Sequence, residues 1–132
     1  MRLLLDTQVL LWWLGEDKRL GKRAVRDIGS PSNQIFISPL SVFECAAKER
    51  IGKLQVSTRQ IVEQLTLEHF QELPYDFWSA QKLAEVPLQD WKDPFDFALM
   101  AQAAAKNLVL LTADHKILAV RWPELSGMDA RR

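Results

Sequence analysis

The 132 residues, 48% hydrophobic and 26% charged, suit a single soluble globular domain over residues 1–132 and carry none of the bias that marks disorder. Lys plus Arg and Asp plus Glu balance at 17 each, which excludes a global basic field, so a polyanion would have to be held by a local patch or a metal. The single Cys45 excludes an intrachain disulfide and fits a reducing cytoplasm; no run approaches the roughly 18 apolar residues of a membrane span, so neither anchor nor signal peptide is expected.

Leu3-Leu4-Leu5 is a short apolar run ended by Asp6, the pattern of a strand buried on both faces in a parallel sheet, with Asp6 at its C-terminal tip. Thr7 to Leu14 is dense enough in apolar residues for a helix buried on more than one side. Either both Trp12 and Trp13 belong to the core, or one of them faces a partner. From Leu20 to Ile28 a helical spacing puts Ala24, Val25 and Ile28 on one face and Arg19, Lys22, Arg23 and Arg26 on another. This basic stripe is either a solvated helix face or the best local phosphate-binding surface in the chain.

Ile35-Phe36-Ile37 reads as the second strand, followed by Ser38 as N-cap and Pro39 as first residue of a helix running to about Arg50. Within that helix Glu44 lies among Val42, Phe43, Ala46 and Ala47, and shares a face with Ser41. A carboxylate so embedded wants a cation. A helix follows from Thr58 to about His69, then a brief strand within 70–73, and then a helix capped by Asp76 and ended by Pro87.

Asp93-Pro94-Phe95-Asp96 opens an alanine-rich helix reaching about Lys106, with Asp93 as N-cap, Asp96 as third helical residue and Asn107 as C-terminal cap. Val109-Leu110-Leu111 is the next strand, leading to Thr112-Ala113-Asp114, where Asp114 also suits the cap of a helix from His115. A small edge strand is expected around 119–121.

Strands alternating with helices predict a parallel sheet, with every strand tip and following helix N-terminus at one edge, where ligands bind. Asp6, Asp96 and Asp114 map to that edge, and Glu44 leans towards it from one to two turns down its helix. Acids gathered without matching bases repel one another, and a divalent cation resolves the conflict. Oxygen-only donors select Mg²⁺ or Mn²⁺, and such sites act on phosphates, so the expected reaction is phosphodiester hydrolysis. Thr7, Ser41 and Thr112 neighbour the acids and are candidates to orient water or a carboxylate. Their simpler roles are as cap or turn residues.

These residues resemble the PIN domain family, specifically its VapC-type toxins of bacterial toxin–antitoxin systems. The resemblance covers nearly the whole chain. It is carried by Leu3-Leu4-Leu5-Asp6-Thr7 with the following Leu11-Trp12-Trp13-Leu14, by Ser41-Val42-Phe43-Glu44 with Gly52-Lys53-Leu54, by Asp93-Pro94-Phe95-Asp96 with Ala101-Gln102-Ala103, and by Leu111-Thr112-Ala113-Asp114. It implies a three-layer α/β/α PIN-like fold with a short central parallel sheet. It also implies an Mg²⁺- or Mn²⁺-dependent endoribonuclease, a homodimer, and a cognate VapB-like antitoxin lying across the active-site groove. Asp6, Glu44 and Asp96 take the roles of core metal ligands, and Asp114 that of the fourth, more variable acid; Asp93 matches the motif as a supporting residue. The family pattern often has His before the Asp-Pro run and Arg after its second Asp, where this chain has Trp91 and Phe97.

Two other classes compete. A phosphatase of the haloacid-dehalogenase type also has Asp at its first strand tip but needs a second Asp two residues on, where this chain has Gln8. A noncatalytic binding module would use the acids only as caps and grip a partner with Trp12 and Trp13.

Overall fold

The computed structural model describes residues 1–87 and 93–132. In chain order its elements are β1 (Arg2–Leu5), α1 (Thr7–Leu14), α2 (Lys22–Gly29), β2 (Gln34–Ile37), α3 (Pro39–Arg50), α4 (Thr58–Leu67), β3 (Gln71–Glu72), α5 (Phe77–Lys82), α6 (Pro94–Lys106), β4 (Val109–Thr112), α7 (His115–Leu118) and β5 (Ser126–Asp129). Except for α2, which starts at Gly21 with no side-chain cap, the helices begin where short polar side chains satisfy their free N–H groups: Asp6 accepts from Val9, Ser38 from Leu40, Asp76 from Ser79, Asp93 from Phe95 and Asp114 from Lys116. Ser57 and Gln60 add a reciprocal capping box at α4. Asn107 ends α6 in the left-handed conformation, at φ 54°.

The five strands form one parallel sheet in the order β3-β2-β1-β4-β5. Cross-strand partners share a face, so Leu3 faces the same side as Ile35, and Leu5 as Leu111, whereas Leu4 points the other way with Phe36 and Leu110. The first set packs against Val9, Leu10 and Trp12 of α1, Ala24 and Ile28 of α2, Cys45 of α3 and Ile61 of α4. The second meets Leu99, Met100 and Ala103 of α6 and Ile117 of α7. Both faces are covered, which is why the central strands read as continuous apolar runs instead of alternating ones. This is the three-layer α/β/α arrangement that the family resemblance implies, built on the parallel sheet that the strand–helix alternation predicts. No helix among the described residues is long and apolar enough to cross a membrane.

Two expectations need correction. The last strand is not at 119–121 but at Ser126–Asp129, because α7 runs to Leu118 and the chain first turns through Trp122 to Leu125 before pairing with β4. The helix expected to reach about His69 stops at Leu67, and His69 turns the chain with φ 61°. Trp12 is buried, and Trp13 packs half-buried on the same cluster with Phe70. Cys45 is fully buried, and burial pushes its thiol up to about 11, so it is not a nucleophile.

Candidate active site

The strand order reverses between β1 and β4. The chain steps outward from β1 through β2 to β3, then returns to β4 and continues outward to β5 on the other side. At such a switch point the loops beyond the two strands part and leave a crevice at their carboxyl ends. The backbone N–H of Asp6 donates to the Leu111 carbonyl at 3.1 Å and locks the two tips together.

Five carboxylates, those of Asp6, Glu44, Asp93, Asp96 and Asp114, line one cleft of about 380 Å³ at this point. Each is positioned by a local device. Asp6 caps α1 through one oxygen, accepting from Val9 N at 2.8 Å, while its other oxygen accepts a hydrogen bond from the fully buried Thr112 hydroxyl. Thr112 Oγ1 in turn accepts from Asp114 N at 3.1 Å, and so couples the two strand-tip acids. Asp93 Oδ1 accepts from Phe95 N and Asp96 N at 2.9 and 3.4 Å, which sets the first turn of α6 and hence the direction of Asp96. The buried Thr7 hydroxyl donates to Ser41 Oγ at 3.0 Å and pins α3 to α1, so Glu44, one turn-face on from Ser41, reaches the same cleft.

The electrostatics follow from burial and like charge. Burial pushes the Asp6 carboxyl up to about 6, against the pull of its bonds from Thr112 and Val9, with the charges of Asp114 and Glu44 adding to the rise. Burial also pushes Asp96 up to about 7, helped by Asp93, Asp114, Asp6 and Glu44 in that order. Among the described residues no three acidic, imidazole or thiol side chains stand in a preassembled coordination shell. Glu44 is paired within its own helix, with Lys48 Nζ 2.9 Å from Glu44 Oε2. The donor set, all carboxylate oxygens with excess negative charge, fits a hard divalent cation.

The sequence-predicted acids are thus brought together, with Thr7 in the cleft wall and Ser41 and Thr112 buried behind it. The basic stripe is not part of this wall. Arg19 lies before α2, pairs with Asp17 at 2.7 Å and covers the Trp12 ring; Arg23 turns towards Asp27 at 3.7 Å; Lys22 and Arg26 are exposed. Gln8 lines the cleft, and an amide there cannot do the acid–base work of a phosphatase. Phe97 packs half-buried against the Leu4 side of the core, and Trp91 lies outside the described residues. Sequence reasoning overlooked Lys48 in the cleft wall, although its spacing of four from Glu44 on one helix was a usable signal.

The sequence profile described as PIN domain matches residues 3–123 of the chain. Comparison with curated protein sequences gives no match. Among solved structures, the chain is similar to one from a VapBC2 structure of Rickettsia felis bound to a DNA fragment of its promoter, at 16% identity, TM-score 0.72 and 98% coverage of both chains. It is also similar to a chain of DNA-bound VapBC from Salmonella typhimurium, at 17% identity, TM-score 0.68 and 98% coverage of both. A third, from VapBC-1 of nontypeable Haemophilus influenzae, gives 18% identity, TM-score 0.67 and 100% coverage of both.

Proposed function

The chain belongs to the PIN domain family, and from that premise we propose that it is a divalent-metal-dependent endoribonuclease, the toxin of a type II toxin–antitoxin pair. The observation that carries this reading is the convergence of five carboxylates on one switch-point cleft, two of them pushed up to about 6 and about 7. Such a site is costly to leave uncompensated and is stabilised by a multivalent cation. In this reading Asp6, Glu44, Asp96 and Asp114 hold Mg²⁺ or Mn²⁺, which when bound supplies positive charge against the phosphoryl oxygens and makes a water more acidic.

The chain's own residues then have separate tasks. Thr112 and the α1 N-terminus orient Asp6 so that each of its oxygens keeps a free lone pair for the cleft. Asp93 fixes Asp96 by capping its helix, a supporting task rather than a ligand's. Thr7 and Ser41 hold α1 and α3 in register, which sets the reach of Glu44.

RNA as substrate, a cognate VapB-like antitoxin as partner, a homodimer and a cytoplasmic setting rest on the likeness to VapC-type toxins and on structural neighbours that are VapBC complexes. The test is cleavage of a mixed-sequence RNA by purified protein after chelation. Activity should return on adding Mn²⁺ or Mg²⁺ and stay absent in Asp6→Ala. Cleavage that persists in excess chelator would refute the reading.

A further inference from the structure

Of the acids around the cleft, Glu44 is held differently from the rest. Asp6, Asp93 and Asp114 are oriented by neutral dipoles, backbone N–H groups and one hydroxyl, which leave the carboxylate charge unneutralised. Glu44 is instead paired with a full positive charge, the Lys48 ammonium at 2.9 Å on the next turn of α3. Lys48 is the one cationic side chain among the described residues lining this cleft. The partners are unequally placed, for the Glu44 side chain keeps 13% of its exposure and that of Lys48 keeps 44%. The carboxylate is anchored in the wall, and the ammonium reaches it from the water edge on a flexible four-carbon stem. An exposed partner contributes little to holding such a pair, so it is easily exchanged. The Lys48 charge is also favoured by that of Asp93, which lines the same cleft.

We propose that Lys48 is the resident cation of the metal-free cleft, displaced from Glu44 by the divalent ion and then turned to the phosphate of the bound nucleic acid. This rests on the metal-dependent ribonuclease reading for the ion and the substrate. Two consequences distinguish it from the simpler role of propping Glu44 in place. The ammonium competes with the metal for one of its ligands and repels it through space, so removing the charge strengthens metal binding. In the loaded protein the same ammonium lies beside a phosphodiester, so removing it weakens substrate binding.

The experiment is Mn²⁺ titration by calorimetry, at pH 7.5 and moderate salt, of the wild-type chain, Lys48→Met and Lys48→Arg, followed by RNA cleavage at saturating Mn²⁺. Lys48→Met is expected to bind Mn²⁺ about tenfold more tightly, the order expected for removing a nearby like charge under partial screening. Lys48→Arg, which keeps the charge, should stay within about twofold of wild type, and KM for RNA should rise severalfold in Lys48→Met alone. Mn²⁺ binding that is unchanged or weaker in Lys48→Met would overturn the proposal in favour of a propping role, and an unchanged KM would overturn its phosphate half. A wild-type chain that binds Mn²⁺ but cuts no RNA would instead remove the ribonuclease reading, and the calorimetric comparison would still decide whether Lys48 competes with the metal.

Discussion

Asp96→Asn is expected to reduce RNA cleavage by more than about a hundredfold and, in the absence of metal, to make the protein more stable at neutral pH. The first effect follows from removing a ligand charge at the N-terminus of α6. The second follows from the position of Asp96, whose carboxyl burial and four neighbouring acids push up to about 7 from an ordinary 3.8. Between those values the unfolded chain has already released this proton while the folded chain keeps it, so wild-type stability falls as pH rises through that window. Below it the two proteins should differ little; above it wild type carries an uncompensated charge that asparagine lacks. Asp96 is only partly buried, so solvent screening reduces the difference to about 1–2 kcal/mol, or roughly 5 °C in Tm. Added Mn²⁺ should invert the order, because wild type gains binding energy in its folded state that the variant loses. Thermal melts in chelator and in Mn²⁺ between pH 4 and pH 8 test both parts; a variant less stable than wild type in chelator at pH 8 would contradict the electrostatic argument.

Gln102→Met is expected to lower stability by about 2 kcal/mol while leaving the acids in place. Gln102 is fully buried in α6, and its Nε2 donates to the carbonyls of Leu73 and Pro74 at 2.9 and 3.3 Å. Those carbonyls directly follow β3, whose two residues pair only with β2. The amide therefore clamps the short edge of the sheet to the central helix. Methionine matches its length but gives the carbonyls no donor, and each unpaired buried acceptor costs about 1–3 kcal/mol. Part of that is offset because the Gln102 Oε1 atom itself has no partner among the described residues. Urea denaturation should show a lower midpoint at unchanged slope; an unchanged midpoint would mean the clamp is not holding the edge.

The same residue shows what could be read from the sequence and what could not. Ala101-Gln102-Ala103 stood out as a motif, yet nothing local reveals that the amide reaches back to residues 73 and 74, since the contact exists only after α6 packs on the sheet. Features set within a few residues were legible. The caps at Ser38, Asp76, Asp93 and Asp114 and the left-handed Asn107 stand where turn and helix-end chemistry predicts them. The strands β1, β2 and β4 were legible because a strand buried on both faces must be apolar throughout.

Strand order was not legible, because pairing β1 with both β2 and β4 is a long-range choice, and it is this choice that makes the crevice. Ser126-Gly127-Met128-Asp129 escaped notice because an edge strand exposed along one side needs no apolar run and takes its register from β4. The acids could be gathered at one edge from the βα alternation alone. Their electrostatic states could not, since the rise at Asp6 and Asp96 depends on neighbours far apart in sequence.

In the proposed reaction the cleft uses a metal to direct water at phosphorus. The most direct measurement is end-group analysis of RNA cut by the purified chain in Mn²⁺, with Asp96→Asn prepared in parallel. Attack by water leaves the 2′-hydroxyl uninvolved, so the expected fragments carry a simple phosphate on one end and a hydroxyl on the other, with no 2′,3′-cyclic phosphate and no cleavage by the variant. Fragments ending in 2′,3′-cyclic phosphate, formed equally by wild type and Asp96→Asn, would contradict it.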